Sequence, residues 1–376
     1  MSEHSSAELA ELDRRLMAAA IRFSERHNGR TGTNPSVSTL IVRMEDGAPR
    51  IVGRGVTALG GRPHAETIAL TEAGDAARGA TAYVTLAPCA HHGRTPPCAE
   101  ALVAAGIARV VSAAPDPDPR VDGKGHDILR AAGIDVVPGV LAEEAGQAMS
   151  GYLTRHRLKR PEVTLKMALS ADGMIGLKGR GQVAITGPLA NTQTHLVRSR
   201  SEAILVGIGT ALEDDPSLTC RLPGLEDRSP MRIVVDPRLE TPPASRLVTD
   251  ARRFPTFLVA SGKADPERRR ALREAGVDFL AAEPDETGRV ALPELLDDLG
   301  ARGISTLLVE GGATLAATFL EEDLVDRLTL VVAPMSIGED GVAGPIRLEE
   351  AGRRFELSRQ ATYGPDRWFE FMRRTR

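Results

Sequence analysis

Cysteine is scarce in this chain, with three among 376 residues. So few thiols cannot build a disulfide framework, and they point to a reducing compartment. Aromatic residues make up only 3% of the sequence, too few to supply a run of stacking platforms for single-stranded nucleic acid. Positive charge is not in excess either: 47 Lys and Arg face 51 Asp and Glu, for a net charge of −4. The electrostatic footprint of a nucleic-acid binder is therefore missing. The arginines are interspersed with acids and not gathered in runs, the pattern of a solvated surface. No apolar run approaches the roughly 20 residues of a membrane span. The start, Met1-Ser2-Glu3-His4-Ser5-Ser6, has no basic stretch followed by an apolar one, so no signal peptide is expected. These absences lead to the expectation of a cytoplasmic protein with a small-molecule ligand and neither a nucleic-acid nor a membrane partner.

What is present is enough apolar material, 42% of residues, for more than one core, and the length favours two domains. Helical periodicity over residues 7–26 places Leu9, Leu12, Leu16, Ala19, Ala20 and Phe23 on one stripe. Gly29, Gly32, Asn34 and Pro35 then make a loop. Strands are expected at 37–42, 50–56, 81–86, 108–112 and 134–137, and helices at 64–73, 97–105 and 126–132. A helical run over 141–157 ends in a basic stretch closed by Pro161. Beyond it, strands at 163–169, 203–206, 232–235, 256–259, 305–309 and 328–332 alternate with helices at 188–199, 266–275, 292–302 and 313–320. Alternation of this kind implies layered α/β architecture in both halves. The boundaries expected are 1–150 for the first domain, 151–160 for a linker and 161–376 for the second domain.

The most informative stretch is Pro63-His64-Ala65-Glu66, answered by Pro88-Cys89 and, after a gap of eight residues, Cys98. One imidazole and two thiols suit zinc, and a catalytic zinc keeps its fourth position for water. His64 and Glu66 fall in the first turn of one expected helix and Cys98 in the first turn of another, where the helix dipole favours thiolate. Glu66, two residues after the imidazole, is placed to carry protons. His-x-Glu followed by Pro-Cys and a second cysteine is the signature of zinc-dependent base deaminases, although there the cysteines are only two residues apart. The alternative is a structural zinc site with His91 or His92 as a fourth ligand. Cys220 has no partner motif and reads as an incidental buried thiol.

Together with Asn34-Pro35-Ser36-Val37, Asp116-Pro117-Asp118-Pro119 and Gly123-Lys124-Gly125, these motifs resemble the bifunctional riboflavin-biosynthesis deaminase–reductase family over roughly residues 14–345. The resemblance implies a first domain with the three-layer α/β/α fold of cytidine deaminases. Its activity would be hydrolytic deamination of 2,5-diamino-6-(5-phosphoribosylamino)pyrimidin-4-one. One zinc per chain would be held by His64, Cys89 and Cys98, with Glu66 as the proton shuttle. Asn34 would contact substrate and Arg94 its phosphate, since guanidinium suits bidentate phosphate contact. Ala87 stands where the family usually has Glu, and Ser38 where it usually has Gly.

In the second half, Val309-Glu310-Gly311-Gly312-Ala313 and Leu205-Val206-Gly207-Ile208-Gly209-Thr210 are strand–glycine–helix junctions. Such junctions present backbone N–H groups and a positive helix end to phosphate, although many are purely structural. Neither is a Gly-x-Gly-x-x-Gly fingerprint, so a Rossmann domain is not supported. The resemblance implies a dihydrofolate-reductase-like α/β domain that uses NADPH to reduce the ribosyl chain, and a homo-oligomer of two or more copies. It matches Ala168, Thr210, Asp214 and the segment Gly312, Ala313, Thr314 and Leu315, running to Thr318, to cofactor contacts. Arg198, Leu218, Arg221 and Glu310 match substrate contacts, the two arginines toward the phosphate. Ala184 stands where an aromatic cofactor contact is usual, and Asn191 where Arg is frequent. The lone tryptophan, Trp368, reads as packing.

Overall fold

The computed structural model describes residues 6–92, 96–118, 123–282 and 289–374. The chain forms two compact units, Met1–Leu158 and Lys159–Arg376.

In the first unit the elements run α1 (Ser6–Ser24), β1 (Ser38–Glu45), β2 (Ala48–Val56), α2 (Ala65–Ala73), β3 (Thr81–Leu86), α3 (Cys98–Ala104), β4 (Arg109–Ala114), α4 (Lys124–Ala131), β5 (Asp135–Val137), α5 (Ala142–Ala148) and α6 (Ser150–Leu158). The sheet order is β2-β1-β3-β4-β5, with β2, β1 and β3 antiparallel in turn and β3, β4 and β5 parallel. Five consecutive residues are buried in both β1 and β3, so each face of the sheet is covered. One cover is α1 with α5; the other is α2, α3 and α4. This is the three-layer arrangement expected.

Two details depart from the sequence reading. The buried stripe of α1 is Asp13, Met17, Ala20, Ile21 and Ser24, one step round from the expected one, and Leu9 is exposed. The stripe turns because Asp13 is held inside: Arg109 donates to its two oxygens at 2.8 and 2.7 Å, and Tyr83 donates to Oδ1 at 2.8 Å. The expected linker 151–160 is helical through Leu158, with Tyr152 and Leu153 buried in the first unit's core. Apolar residues at that spacing bury a helix face where a linker would stay solvated.

Glycines decide how closely α2 lies on the sheet. A Cβ on Gly53 would fall 2.3 Å from the Ala69 carbonyl oxygen, and one on Gly55 only 2.1 Å from that of Ala65. A side chain at either place would push α2 off β2. Ser38 is fully buried; its hydroxyl donates to the Ala20 carbonyl at 2.6 Å and ties β1 to α1.

The second unit contains β6 (Glu162–Leu169), β7 (Met174–Leu177), α7 (Pro188–Arg200), β8 (Ala203–Gly207), α8 (Ile208–Asp214), β9 (Met231–Val235), α9 (Arg246–Thr249), β10 (Thr256–Ala260), α10 (Pro266–Glu274), β11 (Asp278–Ala281), α11 (Leu292–Ala301), β12 (Thr306–Glu310), α12 (Ala313–Glu321), β13 (Arg327–Val332), β14 (Gly341–Ala343), α13 (Leu348–Arg354), β15 (Phe355–Tyr363) and β16 (Asp366–Arg373). Nine strands form one sheet in the order β11-β10-β9-β8-β12-β6-β13-β16-β15, parallel through β13 and closed by an antiparallel hairpin. A separate pair, β7 and β14, forms a small flap. Separate apolar clusters surround the sheet, one including Leu165, Leu307 and Phe319 and another Ile204, Val234 and Leu258. Trp368 is buried against Ala190 and Val331, and its Nε1 donates to Glu370 at 2.8 Å, so it serves packing. No helix of the described residues is long and apolar enough to cross a membrane.

Candidate active sites

In the first unit His64 is the residue that opens α2, Cys98 is the first residue of α3, and Cys89 follows β3. Their ligand atoms all lie within 4.8 Å of one another. His64 Nδ1 is 3.3 Å from Cys98 Sγ and 3.8 Å from Cys89 Sγ. A tetrahedral zinc, with Zn–S about 2.3 Å and Zn–N about 2.0 Å, sets N···S separations of about 3.5 Å. The observed distances bracket that value, and the donor set suits zinc. His91 and His92 stay outside the cluster, and His92 Nε2 lies 3.4 Å from Glu100. Three ligands among the described residues leave a fourth position for water, which favours the catalytic over the structural alternative.

Hydrogen bonding to Cys98 draws the Cys89 thiol down to about 4, against its burial, and the Cys98 backbone N–H donates to Cys89 Sγ at 3.2 Å. Cys98 is pushed up as the donor to that sulfur. A divalent cation displaces such a shared proton, as metal binding to thiols does. Glu66 is buried, 4% exposed, and burial raises its pKa above the usual carboxylate range. Burial thus favours its protonated form relative to an exposed carboxyl.

These groups open onto a cavity of about 590 Å³. Asn34 lines it, with its Nδ2 donating to the Gly61 carbonyl at 2.8 Å. Ala87 lines it as well, so a methyl group stands beside the ligands where the family usually offers a carboxylate. Arg94 lies outside the described residues. The structure gives places to residues that the sequence reading quoted only within motifs or as a possible fourth ligand, and adds Tyr152 and His156. Gly125 lets α4 press against the ligand loop, since a Cβ there would fall 1.9 Å from the Pro88 carbonyl oxygen. His91 lines the cavity with a buried Nδ1 that has no partner among the described residues. Asp116, Tyr152 and His156 complete the wall.

In the second unit a larger cavity of about 940 Å³ lies at the C-terminal ends of β6, β8 and β12, under the β7 flap. Ala168, Thr210, Asp214, Gly312, Ala313, Thr314, Leu315, Arg198, Arg221 and Glu310 all line it. Leu218 does not. Its side chain is buried in the apolar cluster with Ile204 and Leu247, and its backbone takes φ +54°. The turn that brings the Thr219 carbonyl to Arg198 and Arg221 to the cavity points Leu218 inward.

The two strand–glycine–helix junctions meet there. Gly312 N–H donates to Thr210 Oγ1 at 2.9 Å, and Gly311 sits at φ +109° where a Cβ would fall 2.7 Å from the same oxygen. Only glycine permits that approach. The N-terminus of α12 thus faces the cavity, an arrangement that suits the phosphates of a dinucleotide.

Arg198 spends its guanidinium on protein groups: Nε and Nη2 donate to Glu310 at 2.9 and 2.8 Å, and Nη1 to the Thr219 carbonyl at 3.2 Å. Burial alone would raise Glu310, but Arg198 and then Lys166 bring it down to about 2. Lys166 stands opposite Glu310 across the β6–β12 pair, and burial lowers its pKa. His195, which accepts from Arg221 N–H at 3.3 Å, is lowered to about 4 by burial and then by Arg198 and Arg221. Lys166 and His195 were overlooked as site residues. The signal for Lys166 was a lone charge in the apolar run Val163–Leu169.

Comparison with known proteins agrees with this two-site picture. Residues 10–114 match the cytidine and deoxycytidylate deaminase zinc-binding region, and residues 161–368 match the RibD C-terminal domain. The riboflavin biosynthesis protein RibD of Escherichia coli is 38% identical over 370 residues, covering 94% of this chain and 97% of that one. The chain belongs to the RibD family. RibD of Aquifex aeolicus is also 38% identical, over 331 residues, covering 88% of this chain and 89% of the relative. Among solved structures, Acinetobacter baumannii RibD superposes with a TM-score of 0.84 at 35% identity, covering 97% of this chain and 100% of that one. A Thermotoga maritima diaminohydroxyphosphoribosylaminopyrimidine deaminase/5-amino-6-(5-phosphoribosylamino)uracil reductase does so at 0.84 and 30% identity, covering 97% and 99%.

Proposed function

We propose that the chain performs two successive steps of riboflavin biosynthesis. The first is deamination of 2,5-diamino-6-(5-phosphoribosylamino)pyrimidin-4-one. The second is NADPH-dependent reduction of the ribosyl chain to give 5-amino-6-(5-phosphoribitylamino)uracil. The observation that carries this reading is the His64–Cys89–Cys98 triad beside buried Glu66, in a chain whose other unit holds a separate phosphate-adapted cavity.

For the first step, His64, Cys89 and Cys98 would hold a zinc ion, which would supply a water acidified to a pKa of about 7. Glu66 removes a proton from the attacking water and passes it to the ring nitrogen; it then takes the remaining proton of the added hydroxyl and gives it to the amine as the C–N bond breaks and the carbonyl forms. Its burial serves this role, because raising the carboxyl above its ordinary range makes it a better proton acceptor than an exposed one. Leu86, Ala87 and Val37 give the pyrimidine an apolar berth, and Asn34 and His91 offer polar contacts.

For the second step, NADPH held in the larger cavity would supply the hydride for C1′ of the sugar. The α12 N-terminus and the Gly311-Gly312 cradle orient the cofactor's phosphates, latched by Thr210. Asp214, which burial raises, lines the same cavity. Glu310 stays ionised and orients polar groups of the substrate. Arg198 acts by holding Glu310, and Arg221 is the arginine placed to meet the substrate phosphate. Lys166, lowered by burial, lines the same cavity as a further proton donor.

The test follows ammonia release and NADPH oxidation by purified protein. NADPH oxidation that requires prior deamination is the expected result, with a zinc chelator stopping ammonia release and NADPH oxidation from the diamino substrate but not NADPH oxidation from the deaminated intermediate. Reduction without deamination, or zinc-independent deamination, would refute the reading. The expected homo-oligomer finds support in β15, an open edge of the nine-stranded sheet with exposed Leu357. Light scattering at graded concentrations tests it.

A further inference from the structure

We propose that His195 is a positioning residue of the reductase step: its imidazole holds the backbone of Arg221 and so aims that arginine at the substrate phosphate. The inference rests on the reading of the larger cavity as the reductase site, and adds the group that sets its phosphate contact.

Arg221 ends a turn, residues 217–221, in which every residue is held. The Ser217 carbonyl accepts from Nη1 of fully buried Arg232 at 3.2 Å. Leu218 packs with Ile204 and Leu247 at φ +54°, a conformation that a side chain of its size adopts only where its surroundings impose it. The Thr219 carbonyl accepts from Arg198 Nη1 at 3.2 Å. The Cys220 N–H donates to Ser229 Oγ at 3.1 Å. The Arg221 N–H donates to His195 Nδ1 at 3.3 Å. The first four ties fix the course of the turn, and the fifth is made to the functional residue itself.

His195 and Arg198 stand three residues apart on α7, so they share one face of the helix, and both line the cavity. One helix thus grips the turn twice, at Thr219 and at Arg221. The two arginines then divide the work. Arg198 is taken up by Glu310 and the Thr219 carbonyl. The Arg221 guanidinium lines the cavity with no salt bridge among the described residues, and guanidinium suits phosphate oxygens. A backbone N–H only donates, so Nδ1 of His195 has to be the bare, accepting nitrogen, as in the neutral imidazole. Burial and then the charges of Arg198 and Arg221 favour that neutral form, against the opposing pull of Glu310 and the Thr219 backbone, and bring its pKa down to about 4.

The experiment measures steady-state reduction of the deaminated intermediate by full-length protein carrying His195→Ala, His195→Asn, Arg221→Ala, or His195→Ala together with Arg221→Ala. Asparagine offers a carbonyl oxygen close to the place of Nδ1, so it restores the acceptor without the ring. We expect His195→Ala to raise KM for the intermediate about 3- to 10-fold, the effect of one neutral hydrogen bond, with kcat and NADPH affinity unchanged. Arg221→Ala should raise it about 10- to 100-fold, as loss of a charge-assisted bond does. His195→Asn should recover most of the loss. Because the imidazole acts through the arginine, the double variant should be no worse than Arg221→Ala alone. Additive losses in the double variant, or an unchanged KM in His195→Ala, would overturn the proposal. A loss that His195→Asn does not recover, or an equal fall in NADPH affinity, would overturn it in favour of a structural role for α7. Unsubstituted protein that binds NADPH but leaves the intermediate unreduced would overturn the reductase reading itself, and this proposal with it.

Discussion

Gly55→Ala probes the link between sheet packing and the metal centre. The added Cβ would lie 2.1 Å from the Ala65 carbonyl oxygen, 2.8 Å from Ala69 N and 3.0 Å from the Ala65 carbonyl carbon. All three are backbone atoms of α2, and the first is more than 1 Å short of ordinary contact, so no rotamer change relieves the clash. The helix must move, and it carries His64 at its start and Glu66 in its first turn. Overpacking of this kind costs about 1–3 kcal/mol of stability. Displacing a catalytic group by about 1 Å costs on the order of 100-fold in rate. The expected outcome is a deaminase rate about 100-fold down with lowered zinc retention. Reduction of the pre-deaminated substrate by the second unit should continue at its normal rate. Gly146→Ala is the control: its Cβ would meet nothing closer than Leu153 at 3.6 Å, and alanine in the middle of α5 stabilises a helix by about 0.5–1 kcal/mol. Normal deamination and full zinc content in Gly55→Ala would refute the argument that the glycines set the position of the ligand helix.

Three further outcomes are expected. Glu66→Gln keeps zinc and loses about 100- to 10,000-fold in deamination, the usual share of a general acid–base group; metal analysis beside an ammonia assay decides it, and an active variant would remove Glu66 from the chemistry. Thr210→Val deletes the acceptor of the 2.9 Å bond from Gly312 N–H and weakens NADPH binding about 10-fold, read by titration calorimetry, with unchanged affinity counting against the latch. Glu310 is held at about 2 by Arg198 and Lys166 against the opposing effect of burial. Because that folded-state value is depressed, the stabilisation is complete above the ordinary 4.5 and disappears as pH falls from there through 2. Arg198→Met leaves the carboxylate buried without its partner and costs about 3–5 kcal/mol at neutral pH; urea melts followed by Trp368 fluorescence measure it, and an unshifted midpoint would show the pair to be dispensable.

The grouping of the zinc-site residues was legible from local spacing, whereas the residues of the second cavity came only from the family resemblance. His64, Glu66, Cys89 and Cys98 are constrained by the coordination chemistry of one ion and by the first turns of two short helices, so their roles follow from residue type and separation. The strand–helix alternation likewise follows from periodicity, and most element positions agree to within two residues. Where side chains had to choose distant partners, sequence reasoning fell short. Leu218 looked like a contact and lies in the core, because only the assembled turn sets its direction. The C-terminal hairpin was not anticipated, since β15 is mostly exposed and shows no apolar alternation.

The sequence alone therefore determined the zinc chemistry, the two-domain plan and the glycine junctions of the second unit, because each is encoded within a few residues by geometry that the backbone imposes locally. The tertiary structure decided which charges meet. Arg198 and Glu310 lie 112 positions apart, yet form one bidentate pair, and Asp13 is held by an arginine 96 positions away. It also decided that bare glycines on β2 set the depth of α2 on the sheet. Those outcomes depend on which polar groups are withdrawn from water together and how closely two backbones approach, and both are settled only when the layers pack.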